Sequence, residues 1–267
     1  MRPREGIATR APPNPDNPSS RTGSAVPRDE LMCNRGISSF AWCAVIAAGL
    51  IHAGAAQAEP QPSPVPTAWE LTLQPTEPTR IVVDLGGVKK TFWYFLYTVT
   101  NNTGQDVDFH PEIVRVSEIE TEATATQAQK NPDQAPRITT DPAMIGLDSR
   151  VFKAIAERHQ RTHPFLVTPV KAIERLLQGR DNARTSVAVF PDLDPRASKF
   201  TIYFGGLSGE QISKPNPTHN PRKAESEDNP RFFVIRKTLA MPYTIPGDER
   251  TRTTAIPVLG RMTWVMR

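Results

Sequence analysis

Residues 91–102 read TFWYFLYTVTNN, and no other stretch restricts the fold as much. Five aromatics fall within six residues, Phe92, Trp93, Tyr94, Phe95 and Tyr97, before Thr98, Val99 and Thr100 lead into an Asn-Asn-Thr-Gly turn. Aromatic and β-branched residues at this density, closed by turn residues, describe a central β-strand. Successive side chains of a strand point to opposite faces, so Trp93, Phe95, Tyr97 and Val99 share one face and Phe92, Tyr94 and Leu96 the other. Both faces are apolar, and an apolar sheet face has to be covered. The chain must therefore supply a second sheet for one face and a further layer for the other.

The segments around this strand carry the same period. Trp69, Leu71 and Leu73 alternate with polar residues, as do Ile81, Val83 and Leu85 ahead of a Gly86-Gly87 turn. Strand patterns recur at 107–109, 113–116, 185–190, 199–204, 231–239 and 262–267. About eight short strands separated by turn signals predict a mainly β chain, an antiparallel β-sandwich.

Helical period interrupts this pattern. Asp148 or Ser149 can cap a helix whose stripe is Val151, Phe152, Ile155 and Ala156, ended before Pro164. Thr168-Pro169 predicts a second helix, with Val170, Ile173, Leu176 and Leu177 on one side and Gly179 as its stop. Together with the Thr-, Ala- and Gln-rich residues 118–148, expected to be a long loop, this defines a helical insertion at about 119–182. Its stripe of Phe152, Ile155 and Leu176 is expected to cover Phe92, Tyr94 and Leu96. Residues 214–231, polar and Pro-rich, read as a mobile loop.

The first 68 residues are of another kind. Residues 37–58 run from an apolar stretch, Phe40 to Ile51, to Ala56-Gln57-Ala58, with Arg35 ahead of them. This is the pattern of a secretory signal peptide cleaved after Ala58, and the apolar run is short for a membrane span. Trp42 before Cys43 does not fit a lipoprotein site. Residues 1–31 are polar and rich in Pro and Arg, so they read as a disordered extension, or translation starts at Met32 and the leader is 32–58. Residues 59–68, with Pro at alternate positions, predict an extended linker into a domain spanning 69–267. Localisation is then secreted or periplasmic, with no membrane span after cleavage.

Both cysteines, Cys33 and Cys43, fall in the leader, which leaves the remainder without disulfide, Cys nucleophile or thiolate metal site. The whole chain carries +4; six Arg and four acids before residue 59 leave 26 basic and 24 acidic residues beyond it. These are interspersed, not clustered, which argues against nucleic acid as a partner.

The aromatic strand running into TVTNNTG, with the later VAVFPDLDP and FTIYFGGLSG segments, resembles bacterial extracytoplasmic immunoglobulin-like domains. The resemblance implies an immunoglobulin-like sandwich and no particular catalytic residues. Trp93 lacks the two flanking cysteines of antibody-type domains.

Candidate chemistry is thin. His159 and His163, at i and i+4, are placed to share a helix face as zinc ligands, although Gln160 stands where a zincin has its acid. Asp106 with Asp108, and Asp192 with Asp194, could contribute to calcium, but Asp beside Pro is also ordinary turn chemistry. His110 sits in a turn and His219 in the expected mobile loop. No Gly-x-Ser-x-Gly elbow or phosphate-binding glycine loop is present. Trp69, Trp93, Trp264 and Phe233 read as core, and Tyr243 alone as loop-borne. The expectation is a non-enzymatic binding or structural module, whose partner is a protein or cell-envelope component, with no cofactor. The alternative is a metal-binding enzyme or hydrolase using His159, His163 or the Asp pairs, with calcium or zinc.

Overall fold

The computed structural model describes residues 59–119 and 137–267, all within one compact unit, Ala58–Arg267. The proposed extension, signal peptide and cleavage site lie outside the described residues. Thirteen strands are described: β1 Thr72–Pro75, β2 Thr79–Asp84, β3 Lys89–Thr100, β4 Val107–Phe109, β5 Glu112–Ile119, β6 Arg137–Pro142, β7 Glu174–Leu176, β8 Arg184–Pro191, β9 Ala197–Gly205, β10 Gln211–Pro215, β11 Phe232–Thr244, β12 Val258–Leu259 and β13 Thr263–Met266. The α-helices are α1, Ser149–His159, and the single turn α2, Pro169–Ala172, and a 3₁₀ turn follows at Arg180–Asn182. The chain is mainly β and antiparallel, in keeping with a sandwich carrying a small helix.

The aromatic strand is central. β3 pairs with β1 and then β2 along one edge and with β8 along the other, in register from Phe92 opposite Pro191 to Val99 opposite Arg184. A seven-stranded sheet, ordered β10-β11-β9-β5-β6 with β12 and β13 added to β11, faces it. Trp93, Phe95, Tyr97 and Val99 fill the space between the sheets with Phe190, Phe200, Phe204 and Met241. Trp93 meets Phe200 edge-on at 6.2 Å and Tyr97 meets Phe204 edge-on at 5.0 Å, geometry that aromatic rings prefer.

The opposite face of β3 is covered as its sequence requires. Phe92, Tyr94 and Leu96, joined by Val187 and Val189 of β8, pack against Val151 and Ile155 of α1, with Phe152 partly buried beside them. Asp148 is the N-cap of α1, its carboxylate accepting from the Arg150 N–H at 2.9 Å.

Leu176 does not join this cover, because the expected second helix does not extend to it. Thr168 caps α2 and Pro169 opens it, but the helix ends at Ile173 (φ −78°, ψ 88°). Residues 174–176 then pair with β4, which sends Leu176 into the core between the sheets and leaves Val170 and Leu177 exposed. Asn101, buried just after β3, holds that strand in place by donating through Nδ2 to the carbonyls of Leu176 and Gln105, each at 2.8 Å. Long-range pairing here outweighs a sequence period that fits a helix equally well.

Other expectations change in the same way. Residues 137–142 of the expected long loop form β6, paired with β5. Residues 174–176, within the expected helical insertion, form β7, paired with β4; residues 120–136 of that stretch lie outside the described residues. Tyr243 is not loop-borne: it lies on β11, buried and stacked on Phe200 at 5.1 Å. Phe233 is not core but 46% exposed, in a part of β11 paired only with β10. The stretch expected to be a mobile loop begins as β10 and continues as a polar knot. Within it, Asn229 Nδ2 donates to the carbonyls of Asn220, Lys223 and Ala224, and Asn216 Nδ2 to that of Pro230.

The Pro-rich stretch 59–68 is tied to the domain. The Ser63 N–H donates to Glu210 Oε1 at 2.8 Å, and Lys237 Nζ donates to the Ser63 carbonyl at 3.3 Å. Among the described residues, no helix is long and apolar enough to cross a membrane.

Candidate functional site: a polar groove on the larger sheet

The i, i+4 spacing does bring His159 and His163 together, their ring centroids 6.0 Å apart, because the His163 N–H reaches back to the His159 carbonyl at 2.7 Å. His159 Nε2 is engaged with the Tyr94 hydroxyl at 2.9 Å, and His163 Nδ1 with Thr162 Oγ1 at 3.0 Å. Burial, then the positive charge of His163 and Arg158, pushes the His159 pKa below its ordinary value. A neutral imidazole is thus the polar partner that the buried Tyr94 hydroxyl needs. Among the described residues, no three His, Cys, Asp or Glu side chains are grouped to hold a metal.

The Asp candidates diverge. Asp192 accepts from Arg80 Nη2 at 3.0 Å on both oxygens, from Trp93 Nε1 at 3.1 Å and from the Leu193 N–H at 3.0 Å. Asp194 accepts from the N–H, Nε and Nη2 of Arg196, and hydrogen bonds from that side chain hold its pKa down to about 2. Each carboxylate carries its own arginine, as in the turn chemistry expected of Asp beside Pro. Asp106 pairs with Arg175 at 3.6 Å, and His219 Nδ1 lies 3.3 Å from the Asn229 carbonyl.

Two buried cations escaped the sequence reading. Arg115, 2% exposed, points between the sheets from β5, with Nε and Nη2 on Asp141 Oδ2 at 3.2 and 2.7 Å and its guanidinium 5.3 Å from the Phe190 ring centre. Burial lowers its pKa, and Asp141 works against that shift. Lys237, also 2% exposed, lies 3.2 Å from Glu70 and 3.2 Å from Glu210. Burial opposes its charge, but the two carboxylates outweigh burial and raise its pKa. No local spacing marks either residue, since each partner lies on a distant segment brought in by sheet pairing or by chain crossing.

Several charged side chains without a partner among the described residues line two adjoining cavities. A cavity of about 540 Å3 opens where the β4–β5 corner meets the connection from β9 to β10, lined by Asp108, His110, Glu112, Glu210, Arg236 and Trp69 among others. A second, of about 300 Å3, continues over the outer face of the larger sheet past Val114, Tyr203 and Arg267. Glu112 and Arg236 line both, so the two form one groove.

Glycines shape its floor. At Gly206 (φ +82°) a Cβ would stand 2.2 Å from the His110 carbonyl oxygen, and at Gly209 2.6 Å from Trp69 Nε1. Only glycine allows both the backbone angle at Gly206 and that close approach.

Glu210 in the groove is paired with Lys237, which it shares with Glu70. The side chains of Asp108, His110, Glu112 and Arg236 have no hydrogen-bond or ion-pair partner among the described residues, and Arg267 has only the Tyr203 ring, 4.1 Å away. Sequence reasoning considered Asp108 and His110 without linking them to Glu112, Arg236 or Arg267. Asp108, His110 and Glu112 alternate across a strand corner, a signal visible in the sequence, but the arginines arrive from β11 and from beyond β13.

No protein-family model, curated protein or solved structure matches this chain.

Proposed function

We propose that this chain is an exported, non-enzymatic binding or structural module that works outside the cytoplasm, with the groove on the larger sheet as its binding surface. The leader pattern of residues 32–58, with cleavage after Ala58, supports export to the periplasm or the exterior. The interspersed charge argues for a protein or cell-envelope component over nucleic acid. One observation carries the reading: Asp108, Glu112 and Arg236 converge on one open groove without partners among the described residues, whereas Asp192, Asp194, Arg115 and Lys237 are committed to structural pairs. Polar groups placed without internal partners are what a surface needs to orient a ligand. The immunoglobulin-like character remains part of this proposal.

The metal or hydrolase alternative keeps the His159–His163 pair and Asp108, since Asp192 and Asp194 are engaged by arginines and Asp106 pairs with Arg175. The test is retention from an envelope extract of the source cells on immobilised wild-type chain and on the double variant Asp108→Ala, Arg236→Ala. Components kept by the wild type and lost from the variant support the groove. Identical retention by both, or a stoichiometric metal in the purified chain that is lost in His159→Ala, overturns the reading.

A further inference from the structure

We propose that the groove receives a neutral saccharide chain, an inference that rests on the groove being the binding surface. The argument begins with which hydrogen-bonding roles lie open. Asp108 and Glu112 can only accept, whereas Arg236 and Arg267 can only donate. Glu112 and Arg236 line the same two cavities yet form no ion pair with each other. A ligand that satisfies both kinds of group at close range has to donate and accept from neighbouring atoms. Hydroxyl groups do this, and vicinal hydroxyls present two such atoms to one carboxylate or one guanidinium.

Charge balance selects among hydroxyl-rich ligands. The carboxylates of Asp108 and Glu112 balance the guanidiniums of Arg236 and Arg267, and Glu210 shares the charge of the buried Lys237 with Glu70, which leaves the groove slightly negative. A polyanion would be favoured at Arg236 and Arg267 but opposed at Asp108 and Glu112. An extended peptide is disfavoured on other grounds: it draws specificity from apolar side-chain pockets, and the larger cavity offers few apolar walls beyond Trp69 and Pro111. The first cavity contributes an aromatic residue, Trp69, against which the apolar face of a sugar ring packs, while the Tyr203 ring of the second carries the Arg267 guanidinium at 4.1 Å. Two adjoining cavities that share Glu112 and Arg236 suit consecutive units of a chain.

The test is electrophoresis of the full chain through native gels containing soluble neutral polysaccharides (laminarin, xylan, galactomannan, hydroxyethyl cellulose) or the polyanions heparin and alginate. At least one neutral polymer is expected to retard the wild type, and to do so equally at about 0.5 M salt, where exposed charge attraction is screened. Asp108→Ala and Arg236→Ala should each weaken retardation roughly tenfold or more, the loss of one hydrogen bond to a charged group, with an unchanged thermal midpoint. Retardation by polyanions alone, by no neutral polymer, or by neutral polymers equally in both variants overturns the saccharide assignment. If retention from envelope extract still depends on Asp108 and Arg236 in that event, the groove remains the binding surface and only its ligand class is wrong.

Discussion

Ile155→Ala tests whether α1 is an integral layer of the fold or an ornament on it. Ile155 is fully buried against Phe92, Tyr94, Leu96 and Val189. The substitution removes three carbons, worth about 2.4 kcal/mol at ~0.8 kcal/mol for each buried group. The cavity left behind adds to this, within a range of about 2–5 kcal/mol for such truncations. Alanine's better helix propensity returns up to roughly 0.5 kcal/mol. The expected net loss is about 3 kcal/mol, or a fall of roughly 6–12 °C in thermal midpoint at ~2–4 °C per kcal/mol for a domain of this size. Urea unfolding followed by tryptophan fluorescence measures it, with Leu177→Ala as control. Leu177 is 49% exposed, so its truncation should change stability by no more than about 0.5 kcal/mol. Were residues 168–177 the amphipathic helix that their period implies, Leu177 would be buried and the control would fail. A loss under about 1 kcal/mol for Ile155→Ala at unchanged urea dependence would refute the packing of α1 on β3.

Two further outcomes follow from the buried polar groups. Asp141→Ala leaves the Arg115 guanidinium uncompensated between the sheets, where Nη1 is already without a hydrogen-bond partner. It should cost about 3 kcal/mol, while adding Arg115→Met should restore most of it, because a well-packed apolar pair can replace a buried ion pair. Equal stability of the single and double variants in urea titrations would contradict this. Acidification should weaken the fold through His159, whose folded pKa lies below its unfolded value near 6.5. The unfolded chain then takes up the proton first, so the contribution is complete above pH ~6.5 and is lost as pH falls through the folded pKa. Thermal midpoints measured across this range should fall less steeply in His159→Phe than in the wild type; parallel curves would show that the imidazole is not responsible.

The sequence by itself determined the centre of this protein. A strand apolar on both faces cannot lie on a surface, so residues 91–100 had to sit inside a layered fold, and Phe152 and Ile155 of the expected cover were legible because both patterns are local. The antiparallel β character followed from period and turn residues in the same way. What the tertiary structure alone decided are the choices that depend on partners far along the chain. Leu176 fits a helix or a strand equally well until β4 is there to pair with it, and Tyr243 reads as loop until Phe200 stacks on it. Arg115 and Lys237 look like surface residues until Asp141, Glu70 and Glu210 arrive to neutralise them. The groove belongs to the same class: Asp108, His110 and Glu112 are adjacent in sequence, but Arg236 and Arg267 reach them only through β11 and the strand paired to it. Burial and charge compensation are properties of a neighbourhood, and chain pairing assembles that neighbourhood from segments that local sequence does not connect, 26 residues apart for Arg115 and Asp141.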